Sequence, residues 1–250
     1  SRNCVSAAVV SGVACSAGEQ SAVSDVAVGA WEAALDRGVY LGGFGADGEA
    51  LSPHLRSRRE VERVLGLGDY DLTVLRAAII IGAGSISFQL IRQLSGRLPV
   101  MITPKWVHTK CQPIAIDDVI SYLVGVAETP DTAAETYEIG GPDVLTYAEI
   151  LKETRRQLGG QLRIVPVPVL TPRLSSWWIR FVTDVDPAVA RPLIDGVKNS
   201  VVVTDTRIQE ILPRERLSFE AAVADALTNE PATTPTPKAR AGRLLRGSKP

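Results

Sequence analysis

Apolar positions alternate along the chain between the three- to four-residue spacing of helices and the continuous spacing of buried strands. The run LTVLRAAIII at residues 72–81 is typical of a parallel strand covered by helices on both faces. Helices are predicted at residues 25–37, 53–65, 88–94, 119–127 and 147–158, and strands at residues 39–41, 72–81, 136–139, 163–169 and 200–204. This alternation predicts an α/β fold.

Local signals support several of these bounds. Ser52 would cap the second helix, and Pro53 suits its first turn. Thr146 would cap the helix that follows it, because Glu149 stands three residues later in the capping-box position. Two prolines within residues 163–169 limit that segment to the edge of a sheet or to an extended connection.

Composition narrows the class of protein. The 250 residues are 45% hydrophobic and 22% charged, the balance of a soluble globular protein with a sizeable core. Since 27 Lys+Arg oppose 28 Asp+Glu, no broad positive field favours nucleic acid. No apolar run approaches the roughly 20 residues that cross a bilayer, which excludes a membrane span. Cys4, Cys15 and Cys111 follow no metal-ligand or disulfide pattern, which predicts no metal site and a cytoplasmic location.

The two ends of the chain are atypical. Residues 1–24 contain a mildly apolar stretch that is too poor in Leu, Ile and Phe for a convincing export signal, and a disordered or misread terminus is the favoured interpretation. Residues 228–250 are rich in Pro, Thr and basic residues, which predicts a disordered tail. Contact with an acidic surface is a less favoured alternative to a solvated tail for its basic residues Lys238, Arg240, Arg243, Arg246 and Lys249.

Two glycine clusters invite a dinucleotide-binding interpretation. Residues 43–48 (GFGADG) match GxGxxG after a strand, but several residues intervene before the next helix, which favours a connecting loop. Residues 81–87 (IGAGSIS) have a strand before them and a helix after them, but they lack the third glycine. Arg76 also interrupts the preceding strand, where an unpaired buried charge would be costly. A phosphate-binding turn is therefore disfavoured at both places.

Other chemistry-bearing residues have simpler structural interpretations. Asp117 and Asp118 point about 100° apart on a helix, so they cannot flank one bond, and Asp118 is expected to cap or start that helix. His108 is expected to be an exposed loop residue. The aromatic cluster WWIRF at residues 177–181 would either line an apolar pocket or form the core of a small lobe, and the core is favoured.

Four motifs in order resemble the C-terminal part of atypical or extended short-chain dehydrogenase/reductases, of the epimerase-like or isoflavone-reductase-like kind. Residues 39–43 (VYLGG) are similar to the strand that precedes the family's catalytic Ser or Thr, and residues 75–82 (LRAAIIIG) to its LRPxxVYG strand. Residues 112–119 (QPIAIDDV) resemble the hxxDVA segment, and residues 137–147 (YEIGGPDVLTY) the YxIGGPExLTY segment.

The resemblance implies a fold, a domain division and a cofactor. It implies the C-terminal part of a Rossmann-like parallel sheet, N-terminally incomplete, at residues 25–145, and a smaller substrate lobe at residues 146–227. The implied cofactor is NADP or NAD. Its nicotinamide end would lie beside Gly42, Gly43, Ala77, Ala78 and Ile79.

The chain departs from the family pattern at the catalytic positions. Family members pair a general acid/base Tyr with a Lys four residues later, and the corresponding residues here are His54 and Arg58. The Ser/Thr position is glycine, and the 38 residues before Val39 contain no GxxGxxG turn. His54 is the candidate catalytic residue, because histidine transfers protons near neutral pH, and Arg58 is the candidate ligand of the ribose hydroxyls.

Two hypotheses about function follow. The first is an NAD(P)-dependent oxidoreductase or epimerase-like enzyme that acts on a small carbonyl, sugar or lipid-like compound. The second is a non-catalytic, truncated remnant or a regulatory binding protein. Both hypotheses are compatible with an oligomer or with a partner chain.

Overall fold

The computed structural model describes residues 36–44, 53–167 and 200–229. The strands within these residues are β1 (Arg37–Gly43), β2 (Asp71–Ala77), β3 (Ile80–Ile81), β4 (Val100–Pro104), β5 (Lys110–Cys111), β6 (Ile114–Ala115), β7 (Thr136–Ile139), β8 (Leu145–Thr146) and β9 (Arg163–Val167). The helices are α1 (Pro53–Leu65), α2 (Ile86–Arg97), α3 (Ile116–Glu128), α4 (Tyr147–Gln157), α5 (Arg207–Ile211) and α6 (Phe219–Thr228), with short 3-10 helices at Lys105–His108 and Pro130–Thr132.

The largest sheet is parallel, with the order β1-β2-β7. Since β1 and β2 are parallel neighbours joined through α1, this helix must return antiparallel to the strands, as in a βαβ unit. The N-terminus of α1 therefore lies at the end of the sheet where β1 and β2 finish. The predicted α/β class with parallel strands is confirmed.

Side chains alternate between the two faces of this sheet. On one face, Tyr40 and Val74 pack against Leu65 of α1. On the other face, Leu75 packs with Val119 of α3. The nearly continuous apolar character of residues 72–77 follows from this burial on both sides.

A second core joins α2, α4 and α6. Phe88 of α2, Ile150 of α4 and Val223 of α6 are fully buried in one cluster. The predicted capping box of α4 is confirmed, since the Thr146 hydroxyl accepts from the Glu149 N–H and the Glu149 carboxylate accepts from the Thr146 N–H.

Segment 200–229 is held on the rest of the chain by side chains that bind its backbone. Gln112 accepts from the Val203 N–H at 2.9 Å, and its amide donates to the Gly141 carbonyl at 2.7 Å. A carboxylate oxygen of Glu138 accepts from the Thr204 N–H at 2.7 Å. These bonds join residues far apart in the sequence, so they form only in the folded chain.

Two strand predictions are wrong in part. The strand predicted at residues 72–81 ends at Ala77, and Ile80–Ile81 pairs instead with Ile114–Ala115 in a separate two-stranded sheet. The strand predicted at residues 200–204 is reduced to one bridge, between Val201 and Cys111, because the side chains of Gln112 and Glu138 take the N–H groups that follow it.

The helices predicted at residues 53–65, 88–94, 119–127 and 147–158 and the edge strand are confirmed, some with adjusted bounds. The helix predicted at residues 25–37 is wrong at its end, because Arg37 already belongs to β1. Residues 88–94 and 119–127 lie within longer helices, and the segment from residue 163 pairs with β4 as far as Val167. Residues 25–35 and Ser52 lie outside the described residues, as do residues 1–24, 168–199 and 230–250. The disordered tail predicted from residue 228 is wrong at its start, because Thr228 is the last residue of α6. In the described part, none of the helices is both long and apolar enough to cross a membrane.

Candidate functional site

The carboxyl ends of β1 and β2 lie side by side. Gly42 is in register with Arg76 and Gly43 with Ala77, and the Phe44 N–H extends the ladder by donating to the Ala77 carbonyl at 3.1 Å. Ligands of open α/β sheets bind in the crevice beyond the carboxyl ends of the strands. This edge is therefore the candidate site.

The five residues predicted beside the nicotinamide meet at this edge. Ala77 is buried, whereas Ala78 and Ile79 are half-buried where the chain leaves the main sheet for β3. The Ile79 carbonyl accepts from the Ile114 N–H at 2.9 Å, which fixes the backbone of this crossing. Gly42 is buried against the Tyr40 ring, so the partly exposed residues of this edge are Gly43, Ala78 and Ile79.

Helix α1 brings the two predicted polar residues toward the same end of the sheet. His54 lies in the first turn of α1, although its side chain is outside the described part of the structure. Arg58 lies one turn further along, its side chain is half-buried, and its carbonyl accepts from the Tyr40 hydroxyl at 3.5 Å. The spacing of four residues puts His54 and Arg58 on one side of α1.

Arg76 is not an unpaired charge. Its Nη2 atom donates to Glu62 Oε1 of α1 at 2.5 Å, and both side chains are about one-sixth exposed. Arg59 binds the same carboxylate at 3.4 Å. The charge within β2 is therefore paired, and the sequence alone cannot show which carboxylate faces this strand.

The second glycine cluster forms an ordinary helix cap. The Ser85 hydroxyl donates to the Ile80 carbonyl at 2.9 Å and accepts from the Phe88 N–H, while the Ser85 N–H donates to Gly82. Two N–H groups at the start of α2 are thus engaged internally. Residues 45–48 of the first cluster lie outside the described residues.

The two adjacent aspartates behave differently, as their angular separation predicts. Asp117 is exposed and Asp118 is buried. The expected capping role of Asp118 is wrong: α3 begins at Ile116 after Ala115, without a side-chain cap, and Asp118 instead pairs with Arg214 at 3.2 Å. His108 is exposed as predicted, at the end of a 3-10 helix. The aromatic cluster at residues 177–181 lies outside the described residues.

A buried polar pair lies in the second core. Burial raises the pKa of the Cys111 thiol to about 11, and a hydrogen bond from Tyr147 only partly offsets this. Burial also raises the pKa of the Tyr147 hydroxyl. Both groups are neutral at physiological pH, so neither is an activated nucleophile or base.

A cleft of about 390 Å³ opens between α4 and α6, away from the strand ends. Its charged lining is largely paired internally, since Arg156 binds both Glu153 and Glu220 at 2.7–2.8 Å. Asp143 in the same lining accepts from the Phe219 N–H at 2.7 Å. These contacts hold α6 against α4. Within the described residues, no cluster of three or more His, Cys, Asp or Glu side chains could hold a metal ion.

Comparisons with known proteins agree with this fold. No protein-family model matches the sequence. The chain is 25% identical over 151 residues to the mitochondrial NADH-ubiquinone oxidoreductase 40 kDa subunit of Neurospora crassa, in an alignment that covers 58% of this chain and 39% of that protein. The chain thus matches less than half the length of this relative.

Solved structures resemble the chain more extensively. An NADPH-dependent quinone oxidoreductase from Escherichia coli, solved with NADPH, has a TM-score of 0.69 at 15% identity, covering 89% of this chain and 76% of that one. A nucleoside-diphosphate-sugar epimerase from Staphylococcus aureus has a TM-score of 0.66 at 11% identity, covering 87% and 75%. The Bordetella bronchiseptica enzyme WbmG, solved with NAD and UDP, has a TM-score of 0.62 at 14% identity, covering 89% and 70%. The chain therefore has the Rossmann-like fold of these solved structures, as its resemblance to atypical short-chain dehydrogenase/reductases predicts.

Proposed function

We propose that this protein binds NADP or NAD at the carboxyl ends of β1 and β2 and acts as an oxidoreductase or epimerase-like enzyme on a small carbonyl, sugar or lipid-like compound. The observation that carries the proposal is the alignment of Gly42 and Gly43 with the end of β2, beside the N-terminus of α1. Enzymes of similar fold solved with NADPH and with NAD support this choice of cofactor.

The residues at the edge suit the nicotinamide end of such a cofactor. A bound nicotinamide would supply hydride transfer. Gly42 packs against the Tyr40 ring, which would lie 3.2 Å from a Cβ at this position, and Gly43, at the end of β1, is only partly buried. The cytoplasmic location stays a prediction.

Proton transfer and ribose binding are assigned to α1. His54 would give a proton to, or take one from, the oxygen of the substrate, since its ordinary pKa lies near neutral pH. Arg58 would donate hydrogen bonds to the ribose hydroxyls. The substrate classes to try first are quinones and nucleotide sugars, after the names of the structurally similar enzymes.

The first experiment is a titration of the full chain with NADPH and NADH, followed by nicotinamide fluorescence and thermal shift together. Saturable binding is expected. Arg58→Ala should weaken it by about tenfold or more, because a charge-assisted hydrogen bond is lost. Arg63→Ala is the matched control, since Arg63 lies on the same helix but is exposed and paired with Glu60. Equal affinity in both variants would remove Arg58 from the site, and no binding by a folded chain would reject the proposal.

The second experiment tests chemistry separately. With a substrate found in the panel, His54→Ala should lower kcat by about 100-fold or more while leaving nicotinamide binding intact. It should also remove the limb of the pH profile near the ordinary histidine pKa. An unchanged kcat would show that a residue other than His54 transfers the proton.

The alternative is a regulatory protein that binds a nicotinamide cofactor without catalysis. The observation that favours it is the replacement of the family's Tyr and Lys by His54 and Arg58, together with glycine at the Ser/Thr position. Saturable cofactor binding with no turnover across the quinone and sugar panel would support this alternative.

A further inference from the structure

One face of α3 combines apolar and acidic side chains in solvent. Ile120 and Val124 are each 50% exposed and lie one turn apart, while Val119, Tyr122 and Val126 face the core. The exposed positions continue to Asp117 at the start of the helix and to Glu128 at its end. The face therefore presents two adjacent apolar side chains between two carboxylates.

These carboxylates have no partner among the described residues. No hydrogen bond or ion pair of the described part involves the side chains of Asp117, Glu128 or the exposed Asp131 that follows the helix. The last turn of α3 contains Glu128 and no basic residue, so a carboxylate stands at the negative end of the helix. A cation near this end is favoured by the carboxylate and by the helix dipole alike.

The end of the chain has the complementary pattern. Residues 238–249 (KARAGRLLRGSK) place Leu244 and Leu245 directly between Arg243 and Arg246, and no acidic residue follows Glu230. In charge and in apolar character, this segment is complementary to the exposed face of α3.

The length of the chain after α6 and the length of the exposed face of α3 are compatible with contact between them. Helix α6 ends at Thr228, and the 14 residues 229–242 can reach about 45 Å when extended. Asp117 and Glu128 are about 16 Å apart along the axis of α3. An extended segment from Arg243 to Arg246 spans about 10 Å, and two long side chains cover the difference.

We propose that residues 238–249 dock on the exposed face of α3 of the same molecule. Leu245 covers Ile120 and Val124, since adjacent side chains of an extended segment point to opposite sides, and the basic side chains of the segment pair with Asp117, Glu128 and Asp131. The contact is small, so it depends on the tether, which supplies an effective concentration in the range of about millimolar. The proposal is independent of the proposed function and concerns a different surface.

The first test is the rate of trypsin cleavage after Arg243 and Arg246 in the full chain. Ile120→Ser combined with Val124→Ser should raise this rate by about three- to tenfold, because cleavage requires the undocked tail. Serine has nearly the helix propensity of isoleucine and valine, so α3 is retained. Leu67→Ser is the matched control, since Leu67 is 73% exposed outside this face. Equal cleavage rates in all three proteins would overturn the proposal in favour of a solvated tail.

The second test is disulfide formation on mild oxidation, in a background with Cys4→Ser and Cys15→Ser. The pair Val124→Cys with Leu245→Cys should cross-link at least about tenfold faster than Leu67→Cys with Leu245→Cys. A rate independent of protein concentration supports docking within one molecule. A rate that rises with concentration would overturn that claim and assign the face to the tail of a second copy. Equal rates for the two pairs would overturn docking altogether.

Discussion

Asp118 Oδ2 accepts a hydrogen bond from the backbone N–H of Leu217 at 2.9 Å, across 99 positions of sequence. The same carboxylate is only 2% exposed and forms an ion pair with Arg214 at 3.2 Å. Arg214 also lies over the Tyr122 ring at 5.4 Å. One carboxylate thus fastens the segment before α6 to the first turn of α3.

Replacing Asp118 should destabilise the chain strongly. Asp118→Ala leaves the Leu217 N–H and a partly buried guanidinium without their acceptor, and we expect the free energy of unfolding to fall by about 2–4 kcal/mol. Urea unfolding measures this change. Asp69→Ala is the control, because Asp69 is exposed and has no described partner. Similar unfolding midpoints for the two variants would contradict the role of Asp118.

The ion pair between Glu62 of α1 and Arg76 of β2 should contribute more to stability than the exposed Glu60–Arg63 pair on α1. Glu62→Gln weakens the contacts with Arg76 and Arg59, and we expect a loss of about 1–2 kcal/mol. Glu60→Gln should change stability little, because Glu60 and Arg63 are solvated. Thermal unfolding of both variants tests the difference, and an equal effect would show that the Glu62 pair is fully screened.

Two glycines should respond oppositely to alanine. A Cβ at Gly141 would overlap the Pro113 carbonyl oxygen, whose acceptor role toward the Gly141 N–H holds the two segments together. Gly141→Ala should therefore lower the free energy of unfolding by about 2–3 kcal/mol. Gly96→Ala should raise the free energy of unfolding by about 0.5–1 kcal/mol. Gly96 lies in α2, and a Cβ there would meet only Leu158, at 3.5 Å. Denaturant midpoints of the two variants should shift in opposite directions.

The capping box of α4 should make stability depend on pH. Hydrogen bonds from the Thr146 N–H and hydroxyl lower the pKa of Glu149 below its ordinary value of 4.5. Because the folded pKa lies below the unfolded one, the stabilisation is complete above the unfolded pKa and is lost as pH falls through the folded pKa. Glu149→Gln should remove this component. The difference in Tm between the variant and the parent should therefore shrink below about pH 4.5, and a constant difference would contradict the assignment.

Cys111 should be chemically inert in the folded chain. Its buried thiol, with the pKa raised to about 11, presents almost no thiolate at neutral pH. In a background with Cys4→Ser and Cys15→Ser, reaction with a disulfide reagent should be at least about 100-fold slower than in denaturant. Rapid reaction under native conditions would show that the core around Tyr147 opens readily.

Local sequence patterns determined the α/β class, most helix positions and the start of α4. The apolar spacing of α1 and α3 and the capping box at Thr146 involve residues within one or two turns, so they are encoded close together in the sequence. The four motifs also indicated the fold that the structural comparisons show. The roles of His54 and Arg58 stay predictions, since nothing in the backbone geometry tests them.

Tertiary structure decided what local patterns could not. A single apolar run cannot show that the chain leaves the sheet after Ala77, because that break depends on the pairing of Ile80 with Ile114. The same applies to Arg76, whose charge is tolerated only because Glu62 faces it from α1. Asp118 looked like a helix cap because its partner, Leu217, lies 99 residues away and meets it only in the folded chain. Periodicity specifies how one element is buried, whereas contacts between distant polar groups depend on how all the elements pack together.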